Sequence, residues 1–179
     1  MVKALINQYT ENTYIINEQK EAYIIDPGAR AKEIDEYITE KDLVVLGIIL
    51  THGHFDHMYS INDVQKLYQC PIYIYKDERD FLFDPNLNLS STIAKSITVR
   101  AKSSVKLLED SDQLKLGNNI IKITFIPILF ANLQKLKVCL HFLKNQIIKV
   151  NRGVVIILPN KECTDFLTIG AVWLIANGD

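Results

Sequence analysis

The stretch Thr51-His52-Gly53-His54-Phe55-Asp56-His57 contains three of the four histidines in the 179-residue chain, together with an aspartate. Histidines scattered through a protein core would not be expected to gather in this way. Imidazole and carboxylate groups without thiolates favour zinc, with iron or manganese as further options. The sequence therefore predicts a metal site formed by His52, His54, Asp56 and His57.

The residues on either side of this motif predict how it is held. Residues 44–50, directly before it, are apolar and rich in β-branched side chains, and the run is too short for a buried helix. We therefore predict a central strand that is covered on both faces. After the motif, apolar residues recur at every third position, which is typical of one face of an amphipathic helix. These residues are Met58, Ile61, Val64 and Leu67. A strand, a ligand loop and a helix in this order place a site at the carboxyl end of a strand in an α/β sheet.

The alternation within the motif suits two metal ions. Residues two apart in an extended loop point the same way, so His52 and His54 can converge on one ion. Asp56 and the adjacent His57 would then turn toward a second ion. Gly53 would let the backbone pass close to the metals.

Composition limits the class of protein. A length of 179 residues fits one domain, and 48% hydrophobic with 23% charged residues is ordinary for a soluble globular chain. The net charge of −1 gives no basic face for nucleic acid. No run approaches the roughly 18 apolar residues that span a bilayer, and residues 1–8 lack the apolar core of a signal peptide. The three cysteines are widely spaced, which suits a reducing compartment. We expect a cytoplasmic protein with no nucleic-acid or membrane partner.

The motif resembles the His-x-His-x-Asp-His signature of the metallo-β-lactamase superfamily, and its setting is similar to that of the glyoxalase II-like hydrolases in it. Further segments match that family in the right order: residues 12–16, 24–28, 47–51, 70–75 and 84–90. The resemblance covers about residues 1–127. It implies an α/β (α+β) fold of the αββα sandwich type, with residues 1–127 as its N-terminal portion.

Asp26, in Ile25-Asp26-Pro27-Gly28, has two interpretations. Its carboxylate could cap local backbone amides as a turn residue. Alternatively, as the resemblance implies, it could hold a metal-binding histidine in place.

The family pattern fails after Pro127. In the family, a strand like residues 120–126 ends in His-Thr-Pro-Gly-His-Thr, whereas this chain has Phe125-Ile126-Pro127-Ile128-Leu129-Phe130, so that Leu129 stands where a metal histidine would be. The later Gly-Asp segment, whose aspartate bridges the two metals in the family, is also absent. Residues 128–179 are therefore predicted to form a tail of uncertain fold, irregular or incomplete. A frame shift near residue 127 would explain the change, and translation of the gene in the other two frames tests that idea.

Two residues could replace the missing ligands. His141 lies between Leu140 and Phe142 and reads either as a ligand or as a packed core residue. Asp165 follows the strand-like residues 154–158 and could replace the bridging aspartate, or it could cap a helix.

The resemblance implies a zinc hydrolase that takes a small-molecule thioester or a related acyl substrate. One or two metal ions would supply a metal-bound hydroxide that attacks the carbonyl carbon, with Asp56 counted as both a ligand and a catalytic residue. The alternative is a truncated relic that binds metal weakly or not at all and turns over nothing. A homodimer that completes the site from a partner chain is a third option, which no sequence feature favours.

Overall fold

The apolar run before the histidines forms strand β4 (Val44–Ile49), as predicted. It lies between β3 (Glu21–Ile25) and β5 (Ile72–Tyr75) and runs parallel to both. The burial of β4 increases along the strand, from Val44, which is exposed, to Ile48 and Ile49, which are fully buried. The strand is therefore most tightly packed at the carboxyl end, where the histidine motif begins.

These observations come from a computed structural model of the chain. It describes residues 1–9 and 11–123, together with the backbone of residues 124–126 and of four later segments. Those segments are residues 145–149, 153–159, 163–169 and 172–177. His141 and Leu129 lie outside the described residues.

The first sheet has six strands in the order β1-β2-β3-β4-β5-β6. Its remaining members are β1 (Val2–Ile6), β2 (Asn12–Glu18) and β6 (Val105–Leu108). β1, β2 and β3 pair antiparallel, whereas β3 to β6 are parallel. The β2–β3 turn is tight, because the paired strands continue to Glu18 and restart at Glu21.

The second sheet also has six strands, all paired antiparallel, in the order β11-β12-β9-β10-β8-β7. They are β7 (Gln113–Leu116), β8 (Asn119–Ile126), β9 (Asn145–Lys149), β10 (Gly153–Pro159), β11 (Cys163–Ile169) and β12 (Val172–Asn177). The strand predicted over residues 154–158 is present as β10. Asp165 lies within β11 opposite Ala176, so its interpretation as a helix cap is wrong.

Two helices pack on the first sheet. Helix α1 (Ala31–Glu40) buries Ile34 and Ile38. Helix α2 (Ile61–Tyr68) follows the motif as predicted. Leu67, however, is 54% exposed. Leu67 lies outside the buried face of α2. That face contains Ile61 and the residues three and seven positions after it, Val64 and Tyr68.

Each face of the first sheet has its own core. Ile15 and Ile24 point toward the helices, where they pack with Ile48, Ile61 and other buried side chains. Neighbouring positions of the same strands point the other way and pack against the second sheet, because side chains alternate along a strand. They are Tyr14, Ile16, Tyr23 and Ile25. The described residues thus form three layers of the predicted sandwich, in the order helix, sheet, sheet. None of the described helices is long and apolar enough to cross a bilayer.

Truncation of Ile48 tests the role of β4. Because the side chain is fully buried in the core beneath the helices, Ile48→Ala is expected to lower the free energy of unfolding by about 2–5 kcal/mol. Val44→Ala is the control on the same strand, since Val44 is 61% exposed, and it should cost less than about 0.5 kcal/mol. Urea unfolding measures both. Equal effects of the two substitutions would contradict the assigned packing.

Candidate metal centre

The site begins with Asp26, at the end of β3. The backbone turns there through a left-handed conformation (φ 49°), which aspartate tolerates better than most residues. Its side chain is buried and accepts three hydrogen bonds. Two come from Thr51, from the backbone N–H at 2.8 Å and the hydroxyl at 2.5 Å, and the third comes from Nδ1 of His57 at 2.9 Å. Asp26 therefore joins the ends of two neighbouring parallel strands to the histidine motif.

These contacts decide between the two interpretations of Asp26. The backbone does turn, since the Gly28 N–H donates to the Asp26 carbonyl at 2.7 Å. The carboxylate, however, caps no local amide and is used by Thr51 and His57. The interpretation of its side chain as a turn cap is wrong, because the parallel pairing of β3 and β4 brings Thr51 within its reach.

The same network orients two imidazoles. With Asp26 accepting at Nδ1, His57 presents its Nε2 on the opposite side of the ring. The single hydroxyl hydrogen of Thr51 goes to Asp26, so its oxygen is left to accept from Nδ1 of His52 at 3.3 Å. Both imidazoles are thus held at Nδ1, so that in the neutral ring, the form that binds a metal ion, Nε2 is the nitrogen with the lone pair. Metal-binding histidines are commonly oriented in this way.

The three motif histidines lie close together. The ring centroids of His52 and His57 are 3.9 Å apart, and those of His52 and His54 are 4.8 Å apart. His52 and His57 are buried, and His54 is half-buried. The structure therefore gathers the three imidazoles at the carboxyl end of β4.

Contacts from a later segment hold the motif in place. The N–H of Phe55 donates to the carbonyl of Asn88, and the N–H of Gly53 donates to Oε2 of Glu78. A Cβ atom on Gly53 would lie 2.2 Å from Cβ of Phe81. Glycine is thus required here for close packing against the 3₁₀ helix Lys76–Leu82, a constraint that the sequence did not reveal.

Glu11 joins the site although it was not predicted from the sequence. Its Oε2 lies 3.3 Å from Nε2 of His57, and Oδ2 of Asp56 lies 4.0 Å from the same nitrogen. One donor atom from each of these three residues falls within 4.8 Å of the other two. Glu11 directly precedes β2 and is far from the motif in the chain, so no spacing rule could have indicated it.

Burial and charge set the protonation of the cluster. Burial by itself lowers the pKa of His57, but the charge and hydrogen bond of Asp26, with the charges of Glu11 and Asp56, outweigh it and raise the pKa to about 9. Burial raises the pKa of the Glu11 carboxyl, and the charge of His57 opposes part of that effect. In the absence of a metal ion, His57 is therefore a cation at neutral pH.

The donor set fits a divalent metal ion. Imidazole nitrogens and carboxylate oxygens are the ligands that zinc uses, and iron and manganese accept them too. Two donors that each lie about 2.1 Å from one tetrahedral zinc ion are about 3.4 Å apart. Nε2 of His57 lies 3.3 Å from Oε2 of Glu11, which is close to that separation. The assignment of His52, His54, Asp56 and His57 as ligands stays a prediction. Of Asp165, only the backbone is described.

Comparison with known protein families agrees with this geometry. A sequence model of the Metallo-beta-lactamase superfamily matches residues 6–127. The chain is 34% identical over 116 residues to "Probable metallo-hydrolase YqgX" of Bacillus subtilis, which covers 65% of this chain and 54% of that protein. It is also 34% identical over 73 residues to a hydroxyacylglutathione hydrolase of Shewanella denitrificans, covering 39% of this chain and 28% of that one. The chain spans about half the length of the first of these curated relatives.

Solved structures show the same fold. The B3 metallo-beta-lactamase BLEG-1 superposes with a TM-score of 0.64 and 33% identity, over 71% of this chain and 62% of that chain. TTHA1623, solved in a di-iron-bound form, superposes with a TM-score of 0.56 and 19% identity, over 70% of this chain and 61% of the other. The chain belongs to the metallo-β-lactamase superfamily, as its motif predicted, and the family match ends at residue 127.

The stability of chelator-treated protein is expected to fall as the pH rises. The folded-state pKa of His57, about 9, lies above its ordinary value of 6.5, so the folded protein keeps a proton that the unfolded chain releases. This stabilisation is complete below about pH 6.5 and is lost as the pH rises through about 9, a loss of about 3 kcal/mol. Urea unfolding at a series of pH values measures it.

The control for this experiment is Asp26→Asn, which removes the largest of the effects that raise the pKa of His57. The dependence of stability on pH should be shallower in this variant. A slope that Asp26→Asn leaves unchanged would contradict the assignment.

Proposed function

We propose that this protein is a zinc-dependent hydrolase that cleaves a small-molecule acyl substrate, with a glyoxalase II-like thioester as the preferred class. The proposal depends on one observation, the convergence of His52, His54, Asp56 and His57 at the carboxyl end of β4 around a hydrogen-bonded Asp26. The names of two relatives, a probable metallo-hydrolase and a hydroxyacylglutathione hydrolase, support the reaction type and the thioester. Iron or manganese is the alternative to zinc.

The residues of the chain have separate tasks in this proposal. Asp26 fixes the ring of His57, and Thr51 fixes that of His52, so that both rings present Nε2 to the metal ion. When bound, a divalent ion lowers the pKa of a water molecule toward neutrality and polarises the carbonyl of the substrate. No nucleophilic side chain is then required.

Asp56 is assigned the catalytic role. Its carboxylate is 30% exposed, compared with 12% for Glu11 and 6% for His57, so it is the most accessible of these three donors to a substrate. The Asn7 amide holds its backbone by donating to the Asp56 carbonyl at 2.9 Å. With the backbone held there, the partly exposed carboxylate of Asp56 is placed to accept a proton from a water molecule.

A second acyl substrate has specific support. The B3 metallo-beta-lactamase BLEG-1 is 33% identical to this chain where the two structures superpose. A lactam amide and a thioester present a similar carbonyl to a metal site, and one fold can serve several reactions. The two substrate classes are therefore compared in the same experiment.

The test uses the full chain, purified and loaded with zinc. We expect bound zinc and hydrolysis of an S-acyl glutathione thioester that exceeds hydrolysis of a chromogenic β-lactam. His54→Ala should lower turnover by more than about 100-fold, since even residues that only support metal ligands contribute 10–100-fold. His141→Ala is the matched control, because His141 is the histidine outside the motif, and it should keep its activity.

Three other outcomes are decisive. A faster reaction with the β-lactam would reassign the substrate class while keeping the hydrolase. Less than one equivalent of zinc with no turnover would support the inactive relic. Loss of activity in His141→Ala equal to that in His54→Ala would show that the described motif is not the whole ligand set.

A further inference from the structure

Glu11 occupies a position that a simple ion pair with His57 does not explain. One of its carboxylate oxygens, Oε1, accepts the backbone N–H of Asn12 at 2.9 Å. The other, Oε2, lies 3.3 Å from Nε2 of His57, on the side of the ring away from Asp26. Nε2 is the nitrogen that would bind a metal, because Nδ1 is already used by Asp26. Glu11 is therefore directed at the metal-binding side of this imidazole.

The turn that precedes β2 is hydrogen-bonded to the loop that carries the histidine motif. These hydrogen bonds help to fix the position of Glu11. Oδ1 of Asn7 accepts the backbone N–H groups of Tyr9 at 2.8 Å and Glu11 at 3.0 Å. Nδ2 of the same side chain donates to the carbonyl of Asp56. The ring of Tyr9 packs edge-on against Phe55, with centroids 5.1 Å apart. One asparagine thus sets the distance between Glu11 and Asp56.

The turn at Gly28 packs directly against this asparagine. A Cβ atom on Gly28 would lie 2.1 Å from the Asp56 carbonyl oxygen and 2.5 Å from Nδ2 of Asn7. The turn that follows Asp26 is therefore pressed directly against the Asn7–Asp56 hydrogen bond. This contact ties the positions of Asp26, Asp56 and Glu11 to one another.

The charges around His57 do not balance. Three carboxylates face its ring, with shortest N–O distances of 2.9 Å to Asp26, 3.3 Å to Glu11 and 4.0 Å to Asp56. Each of the three forms an ion pair with His57. A single imidazole thus faces three carboxyl groups, of which those of Asp26 and Glu11 are largely buried. Buried carboxylates are costly unless they are paired or coordinate a metal ion.

We propose that Glu11 is a direct ligand of the divalent metal ion bound by Asp56 and His57. The inference rests on the proposed metal-dependent function and adds a ligand to it. Glu11, Asp56 and His57 then supply three protein donors to one ion. This number leaves a tetrahedral zinc ion one open position, as in catalytic zinc sites. The ion also replaces the proton on Nε2 and offsets the excess negative charge.

The test measures zinc binding to the chelator-stripped full chain by isothermal titration calorimetry. Glu11→Gln keeps the size of the side chain and an oxygen that accepts the Asn12 N–H, but it removes the charge. We expect its zinc affinity to be at least about tenfold weaker than that of the unsubstituted protein, the lower end of the effect of a supporting residue. Glu36→Gln is the matched control, because the Glu36 side chain is 64% exposed on α1, and its affinity should be unchanged.

A spectroscopic measurement separates a ligand from a supporting residue. With Co²⁺ as the probe, Glu11→Gln should change the position and intensity of the visible absorption bands, since a charged oxygen donor is lost. Glu11→Asp keeps the carboxylate on a shorter side chain and should bind zinc more tightly than Glu11→Gln. Equal affinities of these two variants would overturn the proposal.

The outcomes distinguish this inference from the proposed function. If the unsubstituted chain binds neither Zn²⁺ nor Co²⁺, the metal-dependent function itself fails and the inference with it. If the unsubstituted chain binds zinc and Glu11→Gln binds it equally well with the same cobalt spectrum, only the role of Glu11 fails. Far-UV circular dichroism and urea unfolding in chelator establish that each variant is folded before its affinity is compared.

Discussion

The structure around the histidine motif depends on one buried carboxylate, that of Asp26. A charge of this kind is costly in a protein interior unless its oxygens are satisfied, and here the end of the adjacent strand and one imidazole satisfy them. The requirement works in both directions. The hydrogen bonds stabilise the carboxylate, and the carboxylate determines where Thr51 and His57 lie. The geometry of the motif is therefore set by strand pairing and not by the loop itself.

The order of the strands in the first sheet explains which residues lie next to the histidine motif. β3 and β4 are parallel and adjacent, so their carboxyl ends meet at one edge. Ligand sites of open α/β sheets lie outside such edges. β2 is the next strand on the other side of β3, and its beginning reaches the same region because β2 runs antiparallel to β3. That pairing places Glu11, which precedes β2, next to the motif.

Features that depend on neighbouring residues in the chain could be predicted from the sequence, whereas features that depend on strand pairing could not. β4 and α2 were predicted correctly because a continuous apolar run and a three-residue apolar spacing are each visible within a few residues. The gathering of the motif histidines followed from their spacing. Glu11 was missed because its place depends on the neighbour of β3 in the sheet, which no local pattern encodes. Leu67 was misjudged because the start of α2, and hence the phase of its buried face, was not fixed by the pattern alone.

The later part of the chain shows the same limit. Its apolar runs were recognised, but neither the order of the strands nor the pairing of β9 between β10 and β12 could be derived from them. Asp165 was considered for its residue type, and the backbone places it on β11, at the edge of the second sheet opposite to β7. Gly53 was assigned to the metals, whereas the side chain of Phe81 is what excludes a larger residue there.

The two separate cores of the first sheet have a further consequence. Within the described part of the chain, the hydrogen-bond, ion-pair and ring partners of His57 are Glu11, Asp26, His52 and Asp56, all from the first 57 residues. The core beneath the helices packs the strands from which they extend. The second sheet meets the opposite face. Because Leu116, Ile121 and Ile123 pack on that opposite face, substitutions at these three positions are expected to change the stability of the sandwich before they change the spacing of the imidazoles.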